Sequence, residues 1–79
     1  MATVNFYAAA RAASGVTESQ VEGGTLSEII SMVSAQHPKL VAILPGCSYL
    51  VNGMSESNLN FQINNDDVID ILPRFAGGA

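Results

Sequence analysis

The chain has 79 residues, 48% of them hydrophobic, and carries a formal net charge of −4. That length holds one core and no second one, and the apolar fraction is far too high for a disordered segment. Three basic residues (Arg11, Lys39, Arg74) against seven acidic ones all but exclude a nucleic-acid-binding protein, which needs many cations on phosphate.

The single cysteine, Cys47, has no internal disulfide partner, and one Cys with one His is too thin a set for a structural metal or an iron–sulfur cluster. No apolar run approaches the ~20 residues that cross a bilayer. The start, Met1-Ala2-Thr3-Val4, lacks the basic and apolar regions of a signal peptide. The expectation is a cytoplasmic protein.

In chain order, Thr3 to Ala8 alternates, with Val4, Phe6 and Ala8 on one face of a half-buried first strand. Ala9 to Ser14 is an Ala-rich helical turn closed by Gly15. Thr17 to Val21 reads as a second strand ending at Gly23-Gly24. Thr25-Leu26-Ser27-Glu28 is a capping box, and Leu26, Ile29, Ile30 and Val33 follow at helical spacing as one apolar stripe. Pro38 stops this helix near His37. Lys39 to Leu44 makes a second short helical turn before Pro45-Gly46. Ser48 to Val51 is a strand, and Asn52-Gly53 a tight turn. Leu59, Phe61 and Ile63 alternate before the turn Asn64-Asn65-Asp66-Asp67. Val68 to Leu72 is the last strand, ended by Pro73. Its β-branched character suits a central position beside the first strand. The expected class is α+β, a sheet with one main helix across one face.

Isolated chemistry-bearing residues have plain structural readings. Cys47 has no flanking cation or helix start to activate it, so it reads as filler. His37 sits at a helix end, where it complements the dipole. Asp66, Asp67 and Asp70 fit no calcium-loop spacing, and turn chemistry explains the pair. No metal site is expected. On the last strand, Ile69 and Ile71 should face the helix, leaving Val68, Asp70 and Leu72 outward. Leu72 and Phe75, with Arg74 nearby, would then form a partner-binding patch beside the chain's end.

After Pro73 the sequence loses its packing side chains: Ala76-Gly77-Gly78-Ala79. From Phe75 onward such a tail can reach roughly 17 Å when extended. Having little to bury, it is expected to be flexible. Paired glycines lack Cβ atoms and can thread a narrow channel.

Together these features resemble the ubiquitin-like β-grasp sulfur carriers, and within them the small subunits of molybdopterin synthase. The resemblance is carried by Val4-Asn5-Phe6-Tyr7-Ala8 with Arg11 and Gly15, by Val51-Asn52-Gly53, by Asp67 to Pro73, and by Gly77-Gly78. It spans nearly the whole chain. It implies a β-grasp domain over residues 1–75, with a mixed sheet of four to five strands, and a flexible Gly-Gly tail over 76–79. Asp66 stands where a glycine is common, which implies a left-handed Asp66.

The resemblance also implies a function. An adenylating enzyme, using ATP and magnesium, would activate the terminal carboxylate, and sulfur from a donor would displace AMP to leave a thiocarboxylate on Gly78. The large synthase subunit would receive this tail, and the sulfur would go to a pterin precursor to build the dithiolene of the molybdenum cofactor. The chain would bind no cofactor and would be a non-catalytic sulfur donor, with the active site mainly on its partner. Sulfur carriage for thiamine or cysteine synthesis, and ubiquitin-like modification of other proteins, share the fold and the tail. In that family the chain ends at the second glycine, whereas Ala79 follows here. Either Ala79 is removed before activation, or the tail serves another purpose.

Overall fold

A computed structural model describes residues 1–73. Strand β1 (Ala2–Phe6) buries Ala2, Val4 and Phe6 and leaves Thr3 and Asn5 half-buried on its other face. The strand stops short of Ala8, which is exposed rather than inward. The chain reverses there, with Ala8 at φ 49, because the Tyr7 carbonyl accepts the N–H groups of Ala10 (2.9 Å) and Arg11 (3.4 Å) and so starts helix α1 (Ala9–Ser14). Ala10 is buried under it, and the Gly15 N–H closes it on the Arg11 carbonyl at 2.8 Å. β2 (Glu18–Val21) pairs antiparallel with β1 and buries Val21.

Before the main helix comes an element absent from the expectations. β3 (Gly24–Thr25) pairs antiparallel with β6 (Gln62–Ile63) in a separate two-stranded sheet. The backbones approach so closely that a Cβ on Gly23 would lie 2.7 Å from the Ile63 carbonyl oxygen. Only glycine fits there without displacing β6.

Helix α2 (Leu26–Gln36) starts with the capping box the sequence predicts. The Glu28 N–H donates to Thr25 Oγ1 at 3.1 Å, and the Thr25 N–H to Glu28 Oε1 at 2.8 Å. Two more first-turn donors, otherwise orphaned, reach the loop before β6: Leu26 N–H meets the Phe61 carbonyl and Ser27 N–H the Leu59 carbonyl, both at 2.9 Å. This corrects the reading of Leu59, Phe61 and Ile63 as one strand face. Ile63 is buried, but Leu59 and Phe61 are exposed and serve the helix through their backbone. Leu26, Ile29 and Val33 are buried, whereas Ile30 flanks the core half-buried. His37 caps the helix, its N–H on the Val33 carbonyl at 2.8 Å.

Two 3-10 turns, Pro38–Ala42 and Leu44–Gly46, replace the single helical turn expected, with Leu40 buried between them and the core. β4 (Cys47–Val51) and β5 (Met54–Ser55) form a hairpin, and β7 (Val68–Pro73) completes the fold. The main sheet runs β2-β1-β7-β4-β5, with β7 parallel to β1 and antiparallel to β4. The last strand does lie beside the first. Side chains from the inward face of this sheet, α1, α2 and Leu40 form one apolar cluster, and no polar or charged side chain is buried among the described residues.

Candidate functional site

The site follows from the direction of β7. This strand is hydrogen-bonded on both sides and leaves the sheet at Pro73, opposite Cys47. Because β1 runs parallel to β7, the β1–α1 turn lies at the same end, where the Tyr7 N–H donates to the Ile71 carbonyl at 3.3 Å. The Phe6 N–H reaches the Thr17 carbonyl at 2.9 Å, which brings the start of β2 there too. Tyr7 and Val16 are exposed at this end, at 36% and 39%. Arg11 lies over it, its Nε donating to the Phe6 carbonyl at 3.4 Å.

Alternation along β7 divides its side chains as the sequence predicts. Ile69 and Ile71 are fully buried, while Val68, Asp70 and Leu72 are half-buried on the face away from α2. On that face Leu72 pairs with Ser48, and Asp70 lies between Leu50 and Asn5. The Asn5 Nδ2 donates to Asp70 Oδ1 at 3.0 Å, fixing the carboxylate between two strands. The face is thus polar toward β1, while toward β4 Leu50 adds to Leu72 beside the exposed Ser48. Leu50 was not singled out in the sequence, although alternation with Cys47 and Val51 would place it there. Arg74, Phe75, Gly77 and Gly78, the other predicted site residues, lie outside the described residues, as do the 75/76 boundary and the tail.

Among the described residues, the reactive side chains outside β7 are engaged within the fold. The Cys47 thiol is buried, donates to the Ile43 carbonyl at 3.3 Å, and is pushed up in pKa by that burial. This disfavours the thiolate needed of a nucleophile. The Tyr49 phenol is pushed up as well, by burial first and by Cys47 second. The His37 ring sits edge-on to Phe6, centroids 5.8 Å apart, with Nε2 3.4 Å from Ser19 Oγ. Asp66 adopts the left-handed conformation expected of it, at φ 80. Among the described residues, no group of three His, Cys, Asp or Glu side chains is placed to hold a metal ion, and no helix is long and apolar enough to cross a membrane.

Comparison with known proteins identifies the architecture. A family model described as the ThiS family matches residues 4–78. No curated protein sequence matches the chain. Among solved structures, the small archaeal modifier protein 1 of Methanosarcina acetivorans superposes with a TM-score of 0.87 at 21% identity, over 98% of this chain and 95% of that one. A chain of the BexX/CysO complex of Amycolatopsis orientalis gives 0.83 at 26%, over 99% and 100%. A chain of the complex between subunits 1 and 2 of the molybdopterin-converting factor of Helicobacter pylori gives 0.75 at 23%, over 98% and 97%. The fold is the ubiquitin-like β-grasp.

Proposed function

The chain belongs to the ThiS family of β-grasp sulfur carriers, and from that premise we propose that it is the sulfur-carrying subunit of a molybdopterin synthase, bearing sulfur as a thiocarboxylate on Gly78. The observation that carries this reading is the placement of β7. A strand held by ladders on both sides gives a fixed base from which residues 74–79 continue, and the family match runs through Gly77 and Gly78. A carboxylate is a poor electrophile, and adenylation supplies a leaving group. The resulting thiocarboxylate is ionised at neutral pH and a good nucleophile. The carrier's part is positioning.

The proposed partners are an adenylating enzyme that uses ATP and magnesium, a sulfur donor, and a large synthase subunit that receives the tail, all in the cytoplasm. The H. pylori complex of subunits 1 and 2 and the A. orientalis BexX/CysO complex both support a partner protein. Leu72 with Arg74 and Phe75 is the proposed docking patch, extended by Leu50.

The test is ATP–pyrophosphate exchange with chains ending at Ala79, Gly78 and Gly77. One extra residue displaces the carboxylate by ~3.5 Å, so the chain ending at Gly78 should be the good substrate and the other two poor ones. Equal rates for chains ending at Ala79 and Gly78 would remove the need for processing, and no exchange with any would overturn the carrier reading. A modifier role, the reading supported by the archaeal modifier's fold, is separated by mass. Sulfur adds about 16 Da to the chain, whereas conjugation joins a whole target protein to it.

A further inference from the structure

Asn52 and Gly53 close the two-residue hairpin between β4 and β5, with Val51 opposite Met54. Both have positive φ, 50 and 84, the turn backbone that favours Asn followed by Gly. No other asparagine in the chain precedes a glycine. The dipeptide is chemically labile, because glycine has no side chain to hinder approach of its backbone nitrogen to the preceding carboxamide. In that reaction the Gly53 N–Cγ bond forms, the Cγ–Nδ2 bond breaks, and the amide proton leaves with Nδ2 as ammonia. Water then opens the cyclic imide at either carbonyl to give Asp or an isoaspartyl link. The balance is carboxamide plus water to carboxylic acid plus ammonia.

The fold restrains this step at three points. Asn52 Oδ1 accepts the Val68 N–H at 2.9 Å, Nδ2 donates to Asp67 Oδ1 at 3.0 Å, and the Asn52 N–H donates to the Val68 carbonyl at 2.7 Å. Asp67 is held in turn, its Oδ2 accepting the Asn64 N–H at 2.8 Å. For Cγ to meet the Gly53 nitrogen, the carboxamide must leave both of its side-chain bonds.

We propose that Asn52 is a deamidation site gated by this clamp, modified only when the hairpin opens and unable to re-form its bond to Asp67 afterwards. A carboxylate at position 52 has no donor to offer and would face the Asp67 carboxylate across the distance now spanned by a hydrogen bond. The isoaspartyl product also lengthens the hairpin backbone. Both products loosen the start of β7, so chemical ageing at one turn reaches the central strand. The inference does not depend on the proposed function.

The experiment incubates the full chain in mildly alkaline buffer, folded and in urea, and maps peptides for a gain of about 1 Da at residue 52 and for isoaspartate. Each bond of the clamp contributes modestly, so together they should slow the folded chain by at least ~10-fold relative to the unfolded one. Asp67→Ser, which removes the acceptor of Nδ2, should fall between the two. Should that variant not fold, the comparison of folded and unfolded parent decides. Equal rates folded and unfolded, no change at Asn52 in urea, or a folded Asp67→Ser no faster than the parent would each overturn the proposal.

Discussion

The two faces of the main sheet are made by the same strands and do different work. Toward α2, the inward residues of β1 and of β7 as far as Ile71 are apolar and fully buried: Ala2, Val4, Phe6, Ile69 and Ile71. On the other face the same strands present Thr3, Asn5, Val68, Asp70 and Leu72, none of them buried. The period of two separates the tasks completely. The covered face holds the fold together, and the open face is available for recognition at little cost in stability.

Substitutions that cross this division test it. The largest effect should come from Ile71→Ala, which leaves a cavity in the core and should cost about 2–5 kcal/mol in urea unfolding. The neighbouring Leu72→Ala should cost under ~1 kcal/mol, and comparable losses for the two would erase the distinction. Leu72→Asp should next leave the melting transition in place yet, if the proposed function holds, weaken association with the proposed large subunit by ~2 kcal/mol or more, read by calorimetry. Unchanged affinity would remove Leu72 from the docking patch.

Thr25→Ala lies on neither face and should cost about 1 kcal/mol through the lost cap. Its melting temperature would show how far α2 depends on its first turn rather than on the sheet. The smallest effect is one of pH. The Asn52 side chain, and after it the Asn64 N–H, hold the Asp67 carboxyl below its ordinary range. The folded pKa is depressed, so this contribution is complete above the ordinary carboxylate pKa and is lost as pH falls through the folded value. Thermal melts of the parent and Asp67→Asn should therefore differ near neutrality and converge in acid. A gap that persists unchanged in acid would show that the carboxylate's charge plays no part.

Much of this was legible because long elements repeat their signal. β1 and β7 state their faces through alternation, α2 announces itself by Thr25 and Glu28, and Asn52-Gly53 and Asp66 mark turns that need left-handed backbone. What was misread has a common cause. A two-residue strand such as β3 or β6 has no period to detect. Leu59 and Phe61 mimicked a strand face, while the property that mattered was the position of their carbonyls over the start of α2. Ala8 continued the alternation in letters just where the backbone reversed. Ile30 shares the helical spacing of the stripe but lies at its flank. For the site, Leu72 was placed on its face by alternation alone. Gly77-Gly78 was legible only as a motif, since two glycines carry no packing pattern from which geometry could be read.

The parallel pairing of β1 with β7 has a mechanical consequence. Ala2 and Val68 lie toward one end of the sheet, and Phe6 and Ile71 toward the other. A pull applied between the two ends of the chain therefore slides these neighbours past one another along their length, loading the ladder bonds together. Force entering through the tail is shared further by β4, bonded to the opposite edge of β7. Peeling β2 from its free edge would instead break its bonds one after another. A pull at the C-terminus thus loads β7 in shear along both of its ladders.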